Sequence, residues 1–70
     1  MNKEQMEVSE ERYLVVGLTD EGEELRRVTV PAARLREATE LFQGFSDWID
    51  IYKHGADGSL TRQPGWSRHG

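Results

Sequence analysis

The chain of 70 residues contains no cysteine, which excludes disulfide bridges and thiolate metal sites. Its two histidines, His54 and His69, have no partner at the spacing of metal ligands. No apolar run approaches the roughly 20 residues of a membrane-spanning helix, and residues 1–12 include no apolar stretch of signal-peptide length. We therefore expect a cytoplasmic protein that binds neither a metal nor a cofactor.

The motifs of common enzyme classes are also missing. The sequence has no P-loop, no Rossmann glycines, no HExxH and no Gly-x-Ser-x-Gly. Asp47 and Asp50 resemble a pair of catalytic acids, but a strand would place them on opposite faces. A chain of this length also has little room for a ligand pocket of roughly 300 Å³ or more. We therefore expect a protein without catalytic activity.

The charge of the chain is unevenly distributed. Residues 1–24 carry a net charge of −6 and residues 25–70 carry +2, which together make the −4 of the whole chain. An acidic front half argues against direct binding to nucleic acid, because phosphate contacts need a positive surface. It suits a protein partner with a basic surface. The alternative is an acidic surface that only keeps the protein soluble.

The segment RYLVVGLTDEGEELRRVTV indicates an antiparallel hairpin. Two runs rich in β-branched residues, 13–19 and 25–30, flank a turn at residues 20–23. Because successive side chains of a strand point to opposite faces, each of the two strands has one apolar face. We expect the two faces to meet in one core; their residues are Leu14, Val16 and Leu18 on the first strand and Val28 and Val30 on the second. Gly17 predicts a bulge or a close approach within the first strand.

The segment PAARLREATELFQG, residues 31–44, predicts a helix. Pro31 suits its first turn, and Gly44 suits the position after its last turn. An apolar stripe is expected to face the core, formed by Leu35, Ala38, Leu41 and Phe42. Phe45 is expected to pack back on Leu41.

Residues 45–54 allow two interpretations. The three- and four-residue spacing of apolar residues continues through Tyr52 and favours a longer helix. Gly44, Ser46 and Asp47 interrupt that helix, however, and WIDIYK is rich in strand-forming residues before the turn GADGS. We predict a strand here and a weaker fourth strand near 59–63.

The fold class predicted by these elements is α+β, a small single domain with an antiparallel sheet of three to four strands (β-β-α-β and a fourth strand) and one helix on one face. Residues 1–11 are expected to form a flexible acidic arm, 12–63 the domain, and 64–70 a flexible tail.

A strand at residues 48–54 also predicts a binding surface. If Ile49 and Ile51 face the helix, the row Trp48, Asp50, Tyr52 and His54 lies on the opposite, open face, beside Tyr13 and Gly17. Two other arrangements are possible: the aromatic residues pack in the core of a longer helix, or the C-terminal segment covers the row with Trp66.

These features favour a small acidic protein that binds another protein and inhibits it. A specific form is an inhibitor encoded by a phage or mobile element, anti-CRISPR proteins being one such class, which occupies the basic nucleic-acid-binding surface of a host complex. The expected partner-binding residues are Glu21, Glu23, Glu24, Trp48, Asp50 and Tyr52. The alternative is a structural or accessory homodimer that associates through the open face, since a chain this short has a small core.

Overall fold

A computed structural model describes residues 11–69 of the chain. The described elements are, in chain order, β1 (Arg12–Leu18), β2 (Glu24–Pro31), a 3-10 helix (Ala32–Arg34), α1 (Leu35–Gln43), β3 (Trp48–His54) and β4 (Leu60–Ser67). The strands form one antiparallel sheet in the order β2-β1-β3-β4. The α+β class and the strand at residues 48–54 are confirmed. The predicted N-terminal arm, except for Glu11, lies outside the described residues.

Two glycine-containing turns connect the hairpins. Gly22 and Gly58 have φ angles of +88° and +90°, a backbone conformation that glycine adopts without steric cost. In the first turn the Thr19 amide donates to the Glu23 carbonyl over 2.9 Å. In the second the Gly55 amide donates to the Ser59 carbonyl over 2.8 Å. Both turns lie where the Gly-containing polar clusters predict them.

The helical segment begins and ends close to the predicted residues. Pro31 is the last residue of β2, and the following amide of Ala32 donates to the Glu11 carbonyl over 2.9 Å. Gly44 follows α1 with a φ of −71°, so it continues the right-handed turn and does not adopt a left-handed cap. The Ser46 amide then donates to the Phe42 carbonyl over 2.9 Å, and the chain leaves the helix toward β3.

The hydrophobic core lies between α1 and one face of the sheet, which we call the helix face. Its buried residues are Val15, Ala38, Phe42, Ile49 and Ile51. Val15 and Ile49 expose 0% and 1% of their surface. The prediction that both isoleucines face the helix is confirmed. Burying a side chain of this size stabilises the fold by about 1.5–3 kcal/mol.

The assignment of faces along β1 differs from the prediction. Val15 pairs with Val28, and Tyr13 pairs with Val30, so these four residues share the helix face. Leu14, Val16 and Leu18 therefore lie on the open face and do not meet Val28 and Val30 in one core. Tyr13 and Gly17 are on the helix face, not beside the Trp48 row. The reason is that the run from Tyr13 to Leu18 is apolar on both sides, so alternation does not distinguish its faces.

Gly17 allows the predicted close approach, whereas the bulge lies on the neighbouring strand β2. A Cβ atom at this position would clash with Ser46 Oγ and would lie 3.0 Å from Phe42 Cδ2, so only glycine lets α1 and its C-terminal turn come this close to the sheet. The register also shifts between Gly17 and Leu18, because Leu25 is an extra residue in β2 at that point.

Three predictions about α1, Phe45 and the C-terminal segment were wrong. Leu41 is 67% exposed and lies outside the core, and Phe45 packs on Phe42 with ring centroids 4.9 Å apart. Strand β4 continues to Ser67, so residues 64–67 belong to the sheet and not to a tail. Trp66 pairs with Ile49 and packs against the core on the helix face. It therefore does not cover the Trp48 row.

Candidate protein-binding surface

The open face of the sheet carries the predicted row of β3. Trp48, Asp50 and Tyr52 alternate with the buried isoleucines and so point away from α1. Their partners across the sheet on β1 are Leu18, Val16 and Leu14 respectively. Trp48 is the most accessible aromatic residue of the row, with 45% of its surface exposed.

The open face is not a bare apolar surface. Leu14 and Val16 expose only 9% and 6% of their surface. Leu14 lies between Thr29 and Tyr52, and Val16 lies between Arg27 and Asp50 on the neighbouring strands. Less apolar area is therefore left for self-association through this face. The homodimer alternative stays a prediction.

Two of the six predicted binding residues already have a cationic partner within the chain. Arg62 contacts Asp50 across β3 and β4 over 3.1 Å, and the Asp50 side chain is 21% exposed. Arg27 binds both carboxylate oxygens of Glu24, over 2.8 and 2.9 Å. The hydrogen bonds from Arg27 lower the pKa of Glu24, and the same contact raises the pKa of Arg27. Neither carboxylate is a free negative charge.

The acidic turn, which we define as residues 20–23, holds the other two carboxylates. Glu21 and Glu23 are exposed, and within residues 11–69 neither forms an ion pair. The hydroxyl of Thr19 accepts hydrogen bonds from the amides of Glu21 and Glu23 over 3.2 and 3.0 Å. The backbone of the turn is therefore held in place while both side chains reach solvent.

The acidic turn lies at the Trp48 end of the open face. The Asp20 amide donates to the Asp47 carboxylate over 3.2 Å, and the Asp47 amide donates to the Leu18 carbonyl over 2.8 Å. Leu18 pairs with Trp48 on one side and with Glu24 on the other. We call Leu18, Trp48 and the acidic turn the Trp48 patch. It combines an exposed aromatic ring with three exposed acidic residues, Asp20, Glu21 and Glu23.

Arg68 supports this end of the sheet from the C-terminus. Its guanidinium donates to the carbonyls of Gln43 and Ser46 over 2.6 and 2.7 Å and lies 3.4 Å from the Asp47 carboxylate. It also lies 5.3 Å from the centre of the Trp66 ring, within cation–π distance. Arg68 thus connects α1, β3 and β4 just before Trp48. Its partners are mostly backbone carbonyls, which leave no signal in the sequence.

The six predicted residues therefore separate into three groups. Glu21, Glu23 and Trp48 lie together at one end of the sheet. Tyr52 is half-buried farther along β3. Glu24 and Asp50 are neutralised by Arg27 and Arg62. Sequence reasoning missed the contacts of Leu18, Arg27, Arg62 and Arg68. Those of Leu18 and Arg62 depend on cross-strand register, and those of Arg68 depend on the turn between α1 and β3.

Two other features were sought among the described residues, a metal site and a membrane-spanning helix. Between Glu11 and His69, no group of three or more acidic or histidine side chains is placed to hold a metal ion. Over the same residues, no helix has the length and apolarity needed to cross a membrane. The chain matches no protein-family model, no curated protein and no solved structure.

Proposed function

We propose that the chain is a protein-binding inhibitor without catalytic activity that docks on the basic surface of a nucleic-acid-binding complex. The supporting observation is the Trp48 patch, where an exposed tryptophan lies at the same end of the sheet as Glu21 and Glu23. Buried aromatic anchors dominate the energetics of protein interfaces. Carboxylates at the rim accelerate association with a positive surface and select for it.

The six predicted binding residues have different roles in this proposal. Trp48 and the half-buried Tyr52 would supply the apolar centre of the interface. Glu21 and Glu23 would contact lysines or arginines that otherwise hold phosphate groups. Glu24 and Asp50 would contribute less, because each would first have to leave its arginine.

We also propose a biological setting for this activity. A protein that occupies a phosphate-binding surface competes with nucleic acid for its target. Inhibitors encoded by phages or mobile elements, anti-CRISPR proteins among them, are a class in which small acidic proteins act in this way. The proposal places the encounter in the cytoplasm of the host.

The double charge reversal Glu21→Lys with Glu23→Lys tests the electrostatic part. The partner is first captured from host lysate with the tagged wild-type chain, and its affinity for each variant is then measured at low and high salt. We expect about tenfold weaker binding and a smaller salt dependence, since each lost rim pair contributes up to about 1 kcal/mol. The control is the double reversal Glu37→Lys with Glu40→Lys on α1. It changes the net charge by the same amount as the test variant, but on the other side of the molecule.

Trp48→Ala tests the apolar part in the same assay. Truncation of an aromatic anchor costs at least about 2 kcal/mol of binding free energy, which is roughly thirtyfold in affinity. Wild-type affinity in both the Trp48 variant and the double reversal would disprove the assigned surface. Equal losses in the double reversal and its α1 control would show that only net charge matters.

A further inference from the structure

A groove separates α1 from β2 on the helix face, on the side of the molecule away from the Trp48 row. Its volume is about 540 Å³, and it is open to solvent along one side. This volume lies within the roughly 300–1,000 Å³ of ligand-binding clefts. The groove has an apolar floor, formed by Val28, Val30, Ala38 and Phe42. Leu41 borders it with 67% of its surface exposed.

A second depression continues this apolar surface. Its lining residues are Leu25, Arg26 and Phe45, and Arg26 also lines the first groove. Leu25 and Phe45 are 49% and 46% exposed. Four of the six large hydrophobic residues that are exposed in residues 11–69 therefore lie on this side: Leu25, Val28, Leu41 and Phe45. Such concentrations of exposed apolar area mark interaction sites.

Among residues 11–69, no strand pairs with the outer edge of β2, the strand beside the groove. Within the described sheet, β2 pairs with β1 only and extends over eight residues, Glu24–Pro31. The unpaired amides and carbonyls of an edge strand are a template for an additional strand. A peptide added along β2 would direct every second side chain toward α1, into the groove and the depression next to it.

The charges around the groove select the kind of peptide. Arg26 lines both depressions and forms no ion pair with another described residue. Arg34 lines the groove and contacts Glu37 over a loose 3.7 Å, with both side chains more than half exposed. A second copy docked through β2 would place a second Arg26 at this surface, and like charges on paired strands are destabilising. An acidic segment is attracted instead.

We propose that β2 and the groove beside α1 accept an extended acidic segment of a partner protein as an additional strand. Alternate apolar side chains of the segment fill the two depressions, and its carboxylates contact Arg26 and Arg34. This surface is separate from the Trp48 patch and takes a ligand of opposite charge. The two proposals therefore stand or fall independently.

The test uses the full-length, isotopically labelled chain and short capped peptides. The first peptide alternates glutamate with valine, the second replaces glutamate with lysine, and the third replaces valine with serine. We expect saturable amide shifts in β2 and α1 with the first peptide only. The lysine peptide lacks the charge that Arg26 and Arg34 select, and the serine peptide lacks the side chains that the groove would bury.

Variants then locate the contacts. Arg26→Glu is expected to weaken binding of the glutamate–valine peptide by about three- to tenfold, as an exposed charge pair is lost and replaced by repulsion. Leu41→Ser is expected to weaken it as well without unfolding the chain, because Leu41 is largely exposed already. The control Arg36→Glu makes the same charge change on an exposed α1 residue outside the groove lining and leaves the affinity within twofold of wild type.

Several results would overturn the proposal. Equal binding of the lysine or serine peptide would remove the selectivity on which it depends. Peptide-induced shifts centred on Trp48, or no saturable shifts, would place the binding elsewhere. Concentration-dependent shifts of β2 in the peptide-free chain would identify a second copy as the occupant. Nuclear Overhauser contacts between residues 1–10 and Val28 would assign the groove to the chain's own N-terminal residues.

Discussion

Replacement of Gly17 by alanine tests how closely α1 approaches the sheet. The new Cβ atom would overlap Ser46 Oγ and lie 3.0 Å from Phe42 Cδ2 and 3.3 Å from Phe45 Cε1. Ser46 is 1% exposed and Phe42 is 5% exposed, so neither side chain has free space into which it can move. Overpacking of a close-packed core costs about 1–3 kcal/mol.

The net effect includes the unfolded state. Alanine restricts the unfolded chain more than glycine does, and this offsets about 0.4–1 kcal/mol of the loss. We therefore expect Gly17→Ala to lower the free energy of unfolding by about 1–2 kcal/mol. For a domain of this size each kcal/mol corresponds to a shift of about 4–8 °C in Tm. Urea unfolding followed by tryptophan fluorescence measures the change.

A double-mutant cycle with Ser46→Ala identifies the cause. The Ser46 hydroxyl is buried and has no hydrogen-bond partner among the described residues, so its removal alone is expected to be nearly neutral. In the double variant the alanine Cβ no longer meets Oγ, and about 0.5–1 kcal/mol of the loss should be recovered. Gly22→Ala is the control: it is strained by its φ of +88° with no atom nearby, and Ser46→Ala should not rescue it.

Two results would refute this reasoning about the contact between Gly17 and Ser46. One is a Gly17→Ala variant with wild-type stability. The other is strict additivity of the two substitutions, which would show that the loss does not arise from their contact.

Two further predictions concern charged residues. Arg68→Ala should lower the free energy of unfolding by about 1–3 kcal/mol, because it removes charge-assisted bonds to two carbonyls. The control Arg62→Ala loses one exposed ion pair and should lower it by less than about 1 kcal/mol. Equal losses of the two variants in urea unfolding would contradict the role of Arg68. Lys53 lowers the pKa of Glu11, and Arg27 lowers the pKa of Glu24. The contribution of these two ion pairs to the free energy of unfolding is therefore present above pH 4.5 and is lost as the pH falls below it. An acid titration by circular dichroism should show a smaller loss of stability in Glu24→Gln than in wild type, and superimposable curves would contradict the contribution of this pair.

The strand at residues 48–54 was predictable because its signals are local. Gly44 and Ser46 disfavour continuation of the helix, and the isoleucines Ile49 and Ile51 occupy only one parity of the strand. Polar and aromatic residues occupy the other parity, so the burial of one row and the exposure of the other follow from alternation. The same reasoning failed for residues 13–18, where both parities are apolar.

The candidate binding surface was only partly predictable. The exposure of Trp48 follows from its place in the outward row of β3, and the exposure of the Glu21 and Glu23 carboxylates follows from their place in a turn. The neutralisation of Asp50 does not, because it depends on which residue of β4 lies near it. That of Glu24 depends on the local backbone of β2, where Leu25 is an extra residue between Glu24 and Arg27. The groove beside β2 was missed because Leu41 was expected in the core.

What the sequence determined by itself is the set of elements and their ends, since turn glycines, a proline before the helix and strand-forming runs act over a few residues. It also determined the acidic character of the first hairpin turn. Only the tertiary structure decided which face of β1 meets α1, which arginines contact Asp47 and Asp50, and which apolar residues stay exposed. The physical reason is that strand register and helix placement bring together residues far apart in the chain, and a shift of one residue would exchange the two faces of a strand.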